Sequence, residues 1–129
     1  MIRVSITKQS NYPVAVAPIK KKLAGFLTEN GIVSDAEVSV AMVGEKKMLE
    51  VGKKYLKDKK LHNVLSFTPG ETKAPFVYPP GGVIYLGEII VCYPLAVNEA
   101  KEENVLIAER VYDLIEHGAL HLLGIHHKE

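Results

Sequence analysis

Four of the five histidines of the chain lie within its last thirteen residues. His117 and His121 are four positions apart, so on a helix both side chains occupy one face, one turn apart. Gly124 can adopt a positive φ, end the helix and turn the chain back, which brings His126 or His127 toward the pair. Three neutral imidazoles with an open fourth position are the ligands of a catalytic zinc ion. The segment therefore predicts a divalent metal site.

The alternative to a metal site is a group of histidines buried in the core with ordinary partners. Leucine and isoleucine residues separate the histidines, which indicates a core segment rather than an expression tag. Burying several imidazoles together without partners is expensive, because each must stay neutral or be paired. The spacing therefore favours metal binding over simple burial.

The spacing His-x3-His-x5-His also matches the frame of the metzincin proteases. Those enzymes carry a glutamate directly after the first histidine as the general base. Gly118 occupies that position here and cannot accept a proton. The ligand spacing thus resembles a metalloprotease, while the residue at the base position argues against protease chemistry.

Three motifs of the chain together resemble the YbeY family of metal-dependent endoribonucleases, which act in ribosomal RNA maturation. The family signature H-G-x-L-H-L-x-G-[YF]-D-H is similar to residues 117–127, with Ile125 in place of the aromatic residue and His126 in place of the acid. Residues 63–67 (NVLSF) and 86–91 (LGEIIV) resemble two family strands, in the same order. The resemblance covers most of the chain.

The resemblance implies a cytoplasmic, zinc-dependent endoribonuclease that cleaves single-stranded RNA, with ribosomal RNA as substrate and the ribosome or its proteins as possible partners. It implies one zinc ion per chain, held by His117, His121 and His127. His126 has three open roles: it could orient a ligand, shuttle a proton or compete to be the third ligand. Ser66, in the matched strand, is a candidate RNA contact.

The chain departs from the family before the NVLSF strand. The resemblance places an arginine there, in an aromatic-Arg-x-K-D context, and Leu56 takes its place in this sequence. Lys54 and Lys57 flank Leu56 and are candidates for catalysis and RNA binding, although a lysine lacks the planar fork that arginine offers to phosphate. This departure keeps a second function open, that of a non-enzymatic, zinc-stabilised factor that binds RNA or the ribosome.

Length and composition indicate one domain spanning residues 1–129, of ordinary globular character. The chain is 47% hydrophobic and 24% charged, with a net charge of +1, so charge alone gives little support for nucleic-acid binding. A single cysteine, Cys92, excludes an internal disulfide and fits a reducing cytoplasm. The longest apolar stretch, residues 83–97, is interrupted by Gly87, Glu88 and Pro94 and is too short to span a membrane.

Hydrophobic periodicity predicts an α/β domain with a four-stranded sheet and helices packed on it, and the resemblance implies that the sheet is mixed. Val83–Val91 is almost continuously apolar and is predicted to be the central strand. Thr68–Gly82 contains four prolines and three glycines and is predicted to be a loop. Asn104 is predicted to cap a helix that runs to Leu123 and carries the first two histidines. His62 is predicted to be a surface residue rather than a ligand.

Overall fold

Four strands form one mixed sheet in a computed structural model of the protein, which describes residues 1–72 and 82–124. The sheet has the order β1-β2-β4-β3, in which β1 pairs parallel with β2, β2 parallel with β4, and β3 antiparallel with β4. The strands are β1 (Ile2–Thr7), β2 (Ala36–Val43), β3 (Val64–Phe67) and β4 (Ile84–Cys92). The helices are α1 (Val16–Glu29), α2 (Glu45–Tyr55), α3 (Pro69–Thr72), α4 (Tyr93–Glu103) and α5 (Ile107–Leu122).

The prediction of a central fourth strand is confirmed, because β4 lies between β2 and β3. Ile89 and Val91 face one side of the sheet, and Ile90 and Cys92 face the other. A strand that is buried on both faces needs apolar side chains at consecutive positions, which explains the almost continuously apolar sequence of β4.

Helices cover the two faces of the sheet unequally. The larger core joins β1, β2 and β4 to α1, α4 and α5, with Leu23, Val40 and Ile115 among its buried residues. On the opposite face, Met48 and Val51 of α2 pack against the ends of β3 and β4. The α5 helix therefore lies directly on the sheet, next to β3, and this contact positions the histidines.

The helix predicted to be capped by Asn104 begins only at Ile107, so the capping role assigned to this residue is wrong. Asn104 ends α4 in the left-handed conformation, with φ 58° and ψ 45°. Leu106 then has extended backbone, and α5 begins at Ile107. Asparagine is favoured both before a helix and in the left-handed position after one, so its identity did not decide between the two roles.

The stretch predicted as a loop begins with a helical turn, α3, and residues 73–81 lie outside the described part of the chain. The backbone N–H of Thr68 donates a hydrogen bond to Glu71 Oε1 at 2.9 Å, and the Thr68 hydroxyl donates to the same oxygen at 3.0 Å. Threonine followed three positions later by glutamate, with proline between them as the first helical residue, is a sequence signal for a helix start. That signal was available in the sequence and was missed.

None of the helices in residues 1–72 and 82–124 is long and apolar enough to cross a membrane.

Candidate metal centre and its cleft

A cleft with a volume of about 330 Å³ opens between β3, the end of α2 and the last turns of α5. Both described histidines of the C-terminal motif, His117 and His121, line it. The prediction that they share one face of a helix is confirmed, since both belong to α5 and face this cleft. The full lining consists of Leu56, Val64, Leu65, Ser66, Phe67, Glu71, His117, Gly118, Leu120 and His121.

Gly118 allows α5 to lie close to the sheet. A Cβ atom at this position would come within 2.7 Å of Ile89 Cγ2 and 3.4 Å of Ser66 Cβ. The first distance is shorter than real Cβ contacts, so any side chain here would push the helix away. The glycine that argues against protease chemistry is therefore explained by packing, and it brings the histidine face against β3.

The imidazole of His121 lies between two polar side chains. Its Nδ1 is hydrogen bonded to Ser66 Oγ at 2.6 Å. Its Nε2 lies 3.5 Å from Glu71 Oε2, and the other oxygen of this carboxylate is the one that accepts from Thr68. Ser66 on β3 and Glu71 on α3 thus lie at opposite edges of the His121 ring on α5.

Glu71 was not predicted to belong to the site. The hydrogen bond from the Thr68 backbone N–H lowers the pKa of the Glu71 carboxyl from its ordinary value of 4.5, and the neighbouring His121 acts in the same direction. The carboxylate is therefore ionised at neutral pH, and it places a negative charge beside Nε2 of His121.

A second polar network connects α5 to the segment that precedes β3. Glu99 on α4 accepts hydrogen bonds from Arg110 Nε at 2.9 Å and from Asn63 Nδ2 at 3.1 Å. Arg110 belongs to α5 and Asn63 directly precedes β3. One carboxylate therefore connects the helix that carries the histidines to the strand that carries Ser66.

Leu56 lines the cleft, at the position where the resemblance places an arginine. Its side chain is 45% exposed at the end of α2. Lys54 instead lines a separate pocket with Glu50 and Glu88, and its Nζ lies 5.1 Å from the centre of the Tyr55 ring. Lys57 is exposed, has a φ of 54° and is not among the residues that line the histidine cleft.

His126 and His127 lie outside the described residues, so the assignment of the third ligand stays a prediction. Within residues 1–72 and 82–124, no three His, Cys, Asp or Glu side chains are grouped closely enough to hold a metal ion. The donor chemistry still fits a divalent metal, because two imidazoles and one ionised carboxylate line a single open cleft.

His62 is not part of the cleft. Its Nε2 is paired with Asp58 Oδ2 at 2.9 Å, and its side chain is 24% exposed, so it is more buried than a surface histidine. It therefore offers a partly buried histidine elsewhere in the fold against which the cleft histidines can be compared.

The sequence profile described as "Endoribonuclease YbeY" matches residues 5–129. The chain belongs to the YbeY endoribonuclease family. The YbeY endoribonuclease of Moorella thermoacetica is 33% identical over 93% of this chain and 80% of its own length. The protein of the same name from Geobacter sulfurreducens is 30% identical over 98% of this chain and 82% of its own length.

A solution structure of a Thermotoga maritima protein has the same fold, with a TM-score of 0.60 and 24% sequence identity. The match covers 99% of this chain and 75% of the other chain. Family membership and fold therefore agree over nearly the whole sequence, including the strand β3 and the helix α5 that line the cleft.

Proposed function

We propose that this YbeY-family protein is a zinc-dependent endoribonuclease that cleaves single-stranded RNA during ribosomal RNA maturation in the cytoplasm. The observation that carries the proposal is the pair His117 and His121 on one open cleft, with His121 held by Ser66. His127 is the proposed third ligand, because the family motif places a histidine there. Three protein ligands leave a coordination position open, as a catalytic site requires.

A bound zinc ion would supply Lewis acidity at a phosphoryl oxygen and activate water near neutral pH. The chain itself contributes the cleft that receives the RNA, with apolar side chains of Leu56 and Leu65 on its walls. Lysines close to Leu56 in sequence, Lys54 and Lys57 among them, would attract the phosphate backbone.

The size of the cleft supports single-stranded RNA as the substrate. A volume of about 330 Å³ lies at the lower end of the range for small-molecule pockets and would accept one nucleotide unit rather than a paired duplex. Bases of single strands can also be splayed out and read individually, whereas the deep groove of an RNA helix hides them. The ribosome or a ribosomal protein is the proposed partner that presents such a strand.

Leu56 favours a second candidate function, a non-enzymatic factor that binds RNA or the ribosome. An apolar side chain in the cleft cannot donate hydrogen bonds to a phosphate, so charge that develops there is offset less well than by an arginine. This candidate predicts RNA binding and metal binding without turnover.

The experiment that tests the proposal measures metal content and RNA cleavage on the same untagged protein. We expect about one equivalent of zinc, cleavage of a single-stranded ribosomal RNA fragment, loss of cleavage with chelator and recovery with zinc. His121→Ala should lose metal and cleavage, while His62→Ala serves as the matched control and should retain both. Metal binding without RNA cleavage would favour the non-enzymatic binding factor over the enzyme. A metal content well under half an equivalent would contradict the metal site.

A further inference from the structure

The contact between Ser66 and His121 joins residues 55 positions apart in the sequence, across the wall of the cleft. At 2.6 Å it is short for a hydrogen bond, and it fixes the plane of the imidazole. Nδ1 takes part in this bond, and Nε2, which lies beside the Glu71 carboxylate, is the nitrogen that the proposed metal site uses. Histidine ligands of metals generally use their second ring nitrogen for such a bond, which sets the tautomer and the ring orientation.

We propose that Ser66 is a positioning residue for His121, holding the ring through Nδ1 so that Nε2 faces the metal position. This inference rests on the proposed metal site and assigns Ser66 a role different from RNA contact.

A hydroxyl group suits this position because it both donates and accepts hydrogen bonds. Without metal, the Glu71 carboxylate beside Nε2 favours a proton on that nitrogen, and the Ser66 hydroxyl donates to the unprotonated Nδ1. With metal on Nε2, the proton lies on Nδ1, and the Ser66 oxygen accepts it. The same bond is therefore kept in both states, with donor and acceptor exchanged.

Packing around the bond restricts the ring further. The absence of a side chain at Gly118 lets α5 approach Ser66, and Glu99 connects α5 to the segment that precedes β3 through Arg110 and Asn63. Ser66 belongs to β3, whose pairing with the central strand holds its backbone in place. The oxygen that holds the ring is thus part of the rigid sheet.

The test compares side chains of similar shape with and without the hydroxyl, namely Ser66→Thr and Ser66→Val, together with Ser66→Ala. Zinc affinity is measured by competition with a chelator. Loss of the hydroxyl should lower the affinity about 10- to 100-fold, and Ser66→Thr should restore most of it. Ser5→Ala is the control, since Ser5 is an exposed sheet serine whose hydroxyl bonds only Ser39 in the described structure.

A second readout is the nitrogen chemical shift of the His121 ring, recorded at about pH 8, where imidazoles are generally neutral. In the wild type, zinc should move the proton from Nε2 to Nδ1. Equal zinc affinity in Ser66→Val and Ser66→Thr, or zinc bound at Nδ1, would overturn the inference while leaving the metal site intact. A wild type that binds no zinc would overturn the metal site and the inference together.

Discussion

Leu56 is the residue at which this chain departs most from the chemistry expected of its family. Its side chain lies in the wall of the same cleft as His117 and His121. Lys54 faces a different pocket, and Lys57 is exposed at the turn after α2. The structure therefore puts an apolar group where a phosphate clamp is expected.

Leu56→Arg should raise RNA cleavage without changing metal content. A hydrogen bond to a charged group contributes about 1.5–3 kcal/mol, which corresponds to roughly ten- to two-hundred-fold in rate at about 1.36 kcal/mol per decade. The measurement is the initial rate of cleavage of a labelled single-stranded RNA, with zinc content determined on the same samples. Leu56→Met is the control for a change of shape without charge.

The competing result assigns the role to a lysine. If Leu56→Arg has no effect and Lys57→Ala or Lys54→Ala abolishes cleavage, a flanking lysine has replaced the arginine. If none of these changes matters and the wild type does not cleave RNA, the binding factor becomes the better account.

Glu71 should make the metal-free protein more sensitive to acid. Because its folded-state pKa is lowered, its contribution to stability is present above the ordinary value of 4.5 and is lost as the pH falls through the lower folded value. The wild type should therefore lose more free energy of unfolding than Glu71→Gln between about pH 7 and about pH 3.5. Urea titrations at the two pH values measure this difference, and equal losses in both proteins would show that the carboxylate is not stabilised by folding.

At the scale of elements, the cleft depends on how closely α5 approaches β3 and β4. The closest approach is at Gly118, where the helix backbone lies against Ile89 and Ser66. A second close approach occurs at Gly87, where φ is 136° and an added Cβ would lie 2.8 Å from Leu122 Cδ2 of α5 and 2.2 Å from the Phe67 carbonyl oxygen of β3. Both glycines keep the sheet and the histidine helix in contact.

Gly118→Ala should destabilise the protein and weaken metal binding. Overpacking a dense core costs about 1–3 kcal/mol, which exceeds the gain of about 0.5–1 kcal/mol from replacing glycine by alanine in a helix. Gly25→Ala on α1 is the matched control, because its Cβ would meet nothing within 4 Å. Urea unfolding should show a loss for the first variant and a small gain for the second; a gain for both would contradict the packing account.

Sequence periodicity predicts the elements that bury a continuous apolar face. It fails where one residue type is favoured at two different positions of a helix. The four-stranded sheet and its central strand β4 follow from hydrophobic patterns. Asn104 ends α4 instead of starting α5, because asparagine suits both positions. The turn α3 was hidden by the proline- and glycine-rich composition of the segment that follows Thr68.

In the candidate site, the arrangement of residues close in sequence could be predicted, whereas contacts between residues distant in sequence could not. The helix face shared by His117 and His121 could be predicted because i and i+4 positions always lie together. The contacts of His121 with Ser66 and Glu71 could not, because they depend on the distance between α5 and β3. That distance is set by core packing and by Gly118, and local patterns do not encode it.

For the whole molecule, the cleft lies beside the main core rather than inside it. Buried residues from α1, α4, α5 and the sheet form that core without any metal ligand among them. The protein should therefore remain folded after metal removal, unlike small domains whose folding depends on zinc. Circular dichroism should retain its helical signal with chelator, while free zinc at 100-fold its Kd should add about 2.7 kcal/mol of stability. Unfolding on chelation would contradict this account and indicate a structural metal.

The central claim is that the histidine cleft holds a metal used to cleave RNA. The most direct test is cleavage of a single-stranded ribosomal RNA fragment by untagged protein, with chelator, with zinc restored and in His121→Ala, using His62→Ala as control. We predict cleavage that chelator abolishes and zinc restores, none by His121→Ala and wild-type cleavage by His62→Ala. Cleavage that persists in chelator, or that His121→Ala retains together with full metal content, would contradict the claim.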